Sequence, residues 1–428
     1  MKITRRDFLR IAGRAGAALP FVAGMPACAP VFTAGDRETG LSFGCVAGDV
    51  TADEAIIWLR GESEGKVSVL YGKEPTLSRF IASDPVELAE DCDHTGHLRL
   101  QRLEPGTAYY YRAAIVGKKP GPIGRFVTAP AGNDLAPVKF CFSGDSRQSY
   151  RPFAIMDAIR ATKPDFFIHL GDTIYADIGG RASRLPQFWA KYRANRADGA
   201  SRRLFADTSV YVTWDDHEVA NDYEGFHPLA AIGRKAFFDY WPVRRDLQEA
   251  DRLYRSFRWG GTLELFLLDV RQYRDRAHET MLGKIQKEWL FDSLASSAAL
   301  FKCIATAVPL YGGGRDRWDG YPLEREEILR RISQKKIEGV LFISADLHYA
   351  AVRRMPGQPG LKNIVAGPIG APMNVIATGF SRSFEFFSNT TFNYGMITID
   401  PRSSRPQLVV EIRDEDNNIL YKTKTNVD

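Results

Sequence analysis

The sequence predicts an α/β body with helices on both faces of a largely parallel sheet, preceded by an all-β module. Three observations carry this. From residue 138 onward, continuous apolar runs such as "VKFCFS", "DFFIHL", "FKCIATAVPL" and "VLFIS" alternate with amphipathic helical stretches, the pattern of strands buried on both faces. Residues 40–130 instead hold six or seven short strands separated by turn signals and no convincing helix, which reads as a β-sandwich. Finally, the apolar runs of the second part end repeatedly in acids: "FSGDSR", "HLGDTIYAD", "VTWDDHE", "LLDVR" and "ISADLH".

In chain order, residues 1–34 read as an export signal. "TRRDFLR" (4–10) is followed by the mildly apolar "IAGRAGAALPFVAGMPACAP", the form of a twin-arginine signal handed to the twin-arginine translocase. Arg14, Pro20 and Pro26 interrupt the apolar stretch, so no permanent membrane span is expected. A periplasmic or extracellular location follows. "MPAC" before Cys28 loosely matches a lipoprotein box, which makes Cys28 a candidate lipid anchor; cleavage between Ala27 and Ala34 is the other option. The net charge of +5 is not a nucleic-acid signature. Lys2, Arg5, Arg6, Arg10 and Arg14 against Asp7 supply most of it, which leaves about +1 for the rest and removes the electrostatic case for nucleic acid.

Residues 38–130 form the sandwich module, with strands at "LSFGCVAG", "EAIIWLR", "KVSVLYG", "TGHLRLQRL", "TAYYYRAAIV" and "GRFVTAP". "LEPGTAYYYRA" resembles the fibronectin type III pattern, so the module is expected to be fibronectin III/Ig-like. Cys45 and Cys92 share it and are candidates for a disulfide; Cys141 and Cys303 sit inside apolar strands and read as buried thiols. His94 and His97 read as polar strand residues. "APAGNDLAP" (129–137) reads as a linker to a body spanning 137–428. There, helices are expected at "RPFAIMDAIRAT", "GKIQKEWLFDSLA" and "LEREEILRRIS", and the Arg- and aromatic-rich stretch 178–208 reads as an insertion shaping access. "NYGMITID", "PQLVVEIRD" and "NILYKTKT" read as antiparallel strands of a second sheet packed on the first.

Ligands of parallel α/β sheets sit beyond the carboxyl ends of the strands, so the acidic strand ends are expected on one rim. A lone "GD" means little, since it can cap a helix or start a turn. Several clustered carboxylates repel one another unless a cation lies between them, and metal ions are the usual solution.

The order Asp145-x-Arg147, Gly171-Asp172, Asp216-His217-Glu218, Asp346-x-His348 resembles the metallophosphoesterase (calcineurin-like) superfamily. "GDTIYAD", "WDDHEVAND", "LLDVRQYRD", "SADLHYA" and the sandwich start "SFGCVAGDVTADEAIIWLR" are similar to the PhoD-type alkaline phosphatase/phosphodiesterase family. The resemblance implies a four-layer αββα sandwich. It implies an enzyme that hydrolyses phosphate mono- or diesters by attack of a metal-held hydroxide, with a phosphate ester as the partner and a monomeric state. It makes Asp172 the bridging ligand of two ions, with Asp145, Tyr175 and His348 on one site and Asp216 and Asp346 on the other. His217 is implied as the proton donor to the leaving oxygen. Arg147 and Arg271 are implied to hold phosphate oxygens, with Asn221 beside them. Asp269 is expected to fix Arg271 or to touch metal.

Two departures matter. Iron- and calcium-binding members carry a cysteine where this chain has Asp145, so the expected ions are Ca²⁺ with Fe³⁺ by resemblance, or Mn²⁺, Zn²⁺ or Mg²⁺ if the missing thiolate decides. Ala345 stands where glycine is usual. The alternatives are a phospholipase-like phosphodiesterase and a non-catalytic cell-surface binding protein that keeps metal for stability.

Both leader arginines are surplus to the fold. Arg5→Lys with Arg6→Lys is therefore expected to strand the precursor in the cytoplasm on cell fractionation; undiminished export of that double variant contradicts the assignment.

Overall fold

The computed structural model describes residues 38–246, 248–355, 358–377 and 384–426. The export signal and Cys28 lie outside these residues. Among them, no helix is long and apolar enough to cross a membrane.

Two sheets face each other. The first runs, edge to edge, through Ile419–Asn426, Gln407–Asp414, Asn393–Asp400, Val138–Ser143, Phe166–Leu170, Ser209–Thr213, Leu41–Gly48, Ala55–Gly61 and Thr95–Leu100. The second runs through Arg255–Trp259, Leu263–Leu267, Phe301–Ala305, Val340–Ser344, Gln358–Val365, Ala350–Met355 and Phe386–Ser388. The strands 138–143, 166–170 and 209–213 are parallel, as are those at 263–267, 301–305 and 340–344. Every residue of Phe166–Leu170, Ser209–Thr213, Phe301–Ala305 and Val340–Ser344 is buried, which is why these runs are apolar without alternation.

Phe140, Phe142, Phe166, Ile168, Leu265, Ile343 and Val410 fill the space between the sheets, and the rings of Phe140 and Phe166 stack at 4.9 Å. Each such side chain contributes about 1.5–3 kcal/mol by leaving water. Helices Ile155–Ala161, Leu185–Arg196, Gly199–Asp207 and Ala230–Tyr240 cover the outer face of the first sheet; Gly283–Ser296 and Pro322–Gln334 cover that of the second. The result is the four-layer αββα arrangement.

Three expectations change. The C-terminal strands extend the first sheet through Asn393–Asp400, which pairs antiparallel with Val138–Ser143; the second sheet is built from 255–388 instead. The acidic strand ends therefore come from two sheets that meet, not from one. The stretch 178–208 holds two helices whose inward side chains include Phe188, Trp189, Tyr192 and Arg196. An arginine in the buried stripe hid its periodicity.

The leading module is a sandwich of Leu41–Gly48, Ala55–Gly61 and Thr95–Leu100 against a small sheet of Ile81–Ala82, Gly65–Gly72, Ala108–Ile115 and Gly124–Val127, with Val86–Leu88 on its edge. Its first strand reaches the α/β body, with Gly48 opposite Val210 in parallel register. Gly48 is required there, because a Cβ would lie 2.4 Å from Pro242 Cγ. The adjacent Asp49 is fully buried and accepts from both Arg255 Nε and Nη2 at 2.8 Å, and from the Arg244 amide at 2.7 Å. Cys45, Cys92, Cys141 and Cys303 are free thiols, so the candidate Cys45–Cys92 bridge is absent.

Removing one partner of a buried ion pair leaves the other charge uncompensated. Asp49→Ala is expected to cost about 3–5 kcal/mol in denaturant unfolding, and adding Arg255→Met should recover part of it. A loss below about 1 kcal/mol, the range of exposed pairs, contradicts the assigned role of this contact.

Candidate active site

Each acidic strand end is a tight turn. Asp145 and Asp172 follow Val138–Ser143 and Phe166–Leu170, while Asp346 and His348 follow Val340–Ser344. All four have left-handed backbones, with φ of 65°, 51°, 66° and 53°. Such conformations cost of order 1 kcal/mol or more for a residue with a side chain, and they concentrate at functional sites. Gly171, at φ 98°, lets the second turn approach the third, since a Cβ would lie 2.7 Å from that of Asp215. Gly144 does the same for Ala345: a Cβ at 144 would lie 2.6 Å from the Ala345 methyl. The alanine in the glycine position is thus accommodated by a glycine across from it.

Glu218 ties two turns together. It is fully buried and accepts from the amides of Asp172 (3.2 Å), Thr173 and Asp215 (2.8 Å) and from the Thr173 hydroxyl (2.5 Å). Burial raises its pKa to about 7 against these donors. Asp145 Oδ1 accepts from the Asp346 amide at 3.2 Å, which joins the turns of the two sheets.

The turns bring ligand-bearing atoms to within 4.8 Å of one another in three overlapping groups: Asp145, Asp172 and His348; Asp172, Asp216 and His217; and Asp216, Asp222 and Asp316. Asp172 belongs to the first two. The Tyr175 hydroxyl lies 3.0 Å from His348 Nε2, which places it beside the first group. Burial, then the neighbouring carboxylates, push Asp145 and Asp172 well above the usual carboxylate range, and Tyr175 is raised in the same way. Burial alone raises Asp216 too, but Arg271 and His217 outweigh it and hold it below its ordinary value. Asp145 Oδ2 and Asp216 Oδ1 are buried without a hydrogen-bond partner among the described residues. Orphaned buried oxygens in a crowd of hard donors are what a metal centre requires. The residues present therefore fit ions at the first two groups. In the third, Asp316 Oδ2 likewise lacks a hydrogen-bond partner among the described residues, but its charge is offset by ion pairs with Arg271 and Arg274.

His217 is 9% exposed, and its Nδ1 lies 2.7 Å from Asp177 Oδ1. Its ring packs on Tyr175 with centroids 4.1 Å apart. Burial lowers its pKa, but the Asp177 bond and the Asp216 charge outweigh this and raise it. Asn221 is exposed and touches the network only through its amide, 2.9 Å from Asp177 Oδ2. Arg147 is partly exposed beside Asp145, with its guanidinium 6.0 Å over the Tyr150 ring and no carboxylate partner among the described residues.

One expected role is corrected by the geometry. Arg271 is 0% exposed; its Nε donates to Asp215 Oδ1 at 2.5 Å and its Nη1 to Asp316 Oδ1 at 3.1 Å, with Asp216 at 3.6 Å. It is a counter-ion beneath the rim and cannot hold substrate phosphate. Asp346 stands in none of the three groups, yet its charge is the foremost of the neighbouring carboxylates that raise Asp145, so it lies beside the first; its carboxylate is gripped by Arg317 Nε at 2.6 Å and Nη2 at 2.8 Å. Asp269 accepts from Trp214 Nε1 at 2.9 Å and from the Arg271 amide at 3.0 Å, so it fixes Arg271. The sequence reading missed Asp177, Glu218, Asp316 and Arg317 as site residues. Asp177 and Glu218 lie inside recognised motifs; Asp316 and Arg317 lie in the Gly-rich "GGGRDRWDG", which ends no apolar run.

Residues 140–375 match the PhoD-like phosphatase family, and residues 27–130 match the PhoD-like phosphatase N-terminal domain. The chain is 26% identical over 420 residues to alkaline phosphatase D of Bacillus subtilis (strain 168), covering 80% of this chain and 71% of that protein. The fold is similar to a solved structure of PhoD, with a TM-score of 0.79, 21% identity and coverage of 92% and 90% of the two chains. It is also similar to purple acid phosphatase PPD1 from yellow lupin (Lupinus luteus), with a TM-score of 0.68, 14% identity and coverage of 91% and 75%. The αββα body with acids at its strand ends thus has its place among known enzymes: the chain belongs to the PhoD-like phosphatase family and is a phosphoric ester hydrolase.

Proposed function

We propose that this chain is an exported, metal-dependent phosphoesterase acting on phosphate mono- or diesters. The observation that carries this is the shared position of Asp172 between two groups of buried donors whose oxygens lack partners. Asp145, Asp172, Tyr175 and His348 would hold one ion, and Asp172 and Asp216, with Asp346 beside them, a second. Bound there, such ions supply Lewis acidity toward phosphoryl oxygens and acidify a water. With Asp145 in place of a thiolate, the donors are oxygens plus imidazole, which suits Mn²⁺, Mg²⁺, Ca²⁺ or Zn²⁺.

The remaining work falls to side chains of this protein. Asp177 holds the His217 ring by Nδ1 and keeps it basic enough to carry a proton, so Nε2 is free to deliver that proton to the departing alkoxide. Arg147, without a carboxylate of its own, is available to a phosphate oxygen. Glu218 and Arg271 keep the turns and the charge balance beneath them. A histidine locked by a dedicated aspartate beside the ligand cluster has no purpose in a purely structural metal site, which speaks against a binding protein.

His217→Ala is expected to retain its metals and most substrate affinity while kcat falls by about 10²–10⁴-fold. The loss should be smallest for p-nitrophenyl esters, whose leaving group needs little help, and larger for alkyl phosphates. Loss of an ion on elemental analysis would make His217 a ligand, and a loss independent of leaving-group acidity would remove its acid role.

A further inference from the structure

Arg317 occupies a place that no sequence motif announced. It closes the turn 311–317, where Gly312 and Gly314 have φ of +86° and +76°. Residue 313 cannot carry a side chain in this pose, because a Cβ there would lie 2.7 Å from Arg317 Cγ. The turn is thus shaped around this arginine. A guanidinium has two edges able to grip a pair of oxygens. The Nε/Nη2 edge of Arg317 is taken side-on by Asp346. Among the described residues, the Nη1/Nη2 edge carries only a long contact to Gly313 O, at 3.4 Å. Its side chain is 21% exposed, whereas Arg271 and Arg274 are at 0%. Asp346 in turn is tied through its amide to Asp145. Arg317 is therefore an anchored cation at the edge of the metal-capable cluster, with one fork open.

We propose that Arg317 binds the substrate phosphoryl group and favours dianionic monoesters over monoanionic diesters, with Asp346 as the residue that positions it. A monoester presents three terminal oxygens and a diester two. Once two face the metal-holding cluster, only the monoester keeps a third for a lateral arginine, and it carries the larger charge. Charge-assisted, two-point contact with such an oxygen pair needs the planar fork, which lysine lacks. The proposal rests on the phosphoesterase reading.

The test compares wild type, Arg317→Lys, Arg317→Gln and Asp346→Asn on p-nitrophenyl phosphate and bis-p-nitrophenyl phosphate, with inhibition by inorganic phosphate and metal content measured in parallel. For Arg317→Lys and Arg317→Gln, kcat/KM on the monoester should fall by about 10–100-fold, the size of one or two hydrogen bonds to a charged group. The phosphate inhibition constant should rise in step, the diester should change far less, and metal content should hold. Asp346→Asn should show the same skew, weakened. Equal losses on both esters, an unchanged phosphate constant, or loss of an ion from either arginine variant overturns the proposal. A wild type that hydrolyses neither ester removes the phosphoesterase reading itself, and is distinguished from the other failures by that arm alone.

Discussion

Crowded carboxylates at the ends of buried strands are the constraint on which the rest of this molecule depends. Two unit charges about 5 Å apart repel by about 3 kcal/mol at an effective dielectric near 20. A few such pairs rival the entire stability of a domain, about 5–15 kcal/mol. Asp172 stands within this range of Asp145 and of Asp216, and all three are buried. The fold meets the problem in two ways. Beneath the rim, Arg271 is buried among Asp215, Asp216 and Asp316, and Arg274 supports Asp316. At the rim, Asp145 and Asp172 have no cationic side chain bonded to them among the described residues, and that part of the imbalance is available to metal. The division separates structural charge from functional charge within one cluster.

The same demand explains the backbone. Carboxylates from two sheets converge only if each strand turns sharply at its end, and these turns put four Asp or His residues in the left-handed region. The four residues concerned lie at three strand ends, Asp346 and His348 sharing one, and strain of that kind persists because the surroundings over-determine it. Glu218 gathers three amides and a hydroxyl from two turns, and Gly144 and Gly171 remove the side chains that would keep neighbouring turns apart. The helices and the leading sandwich brace this rim from a distance. The Gly48–Val210 register and the buried Asp49–Arg255 pair make the sandwich a continuation of the catalytic sheet.

Much of this was legible in the sequence because burial writes itself into composition. Runs such as "VLFIS" and "FFIHL" read as buried strands, and acids at their carboxyl ends read as a rim; that the rim is shared by two sheets was not legible. What was not legible has physical causes. Which of two sheets a strand joins depends on pairing between distant segments, so 393–426 were placed in the wrong one. The helix Leu185–Arg196 buries an arginine over Trp58 and Trp241 (4.5 and 4.0 Å), which defeats a search for apolar periodicity. Arg271 has a residue type that suits substrate phosphate; only its neighbours, Asp215 and Asp316, decide otherwise. Asp316 and Arg317 sit in a loop whose glycines announce a turn but not what it presents.

The central claim is that Asp172 joins two ion sites. Metal content of the purified wild type and of Asp172→Asn, measured by elemental analysis after exchange into metal-free buffer and reloading, tests it most directly. The account predicts at least two ions per chain in the wild type and loss of ions from both neighbouring sites together in the variant, with the fold retained by circular dichroism. Full retention of the wild-type complement by Asp172→Asn would contradict it.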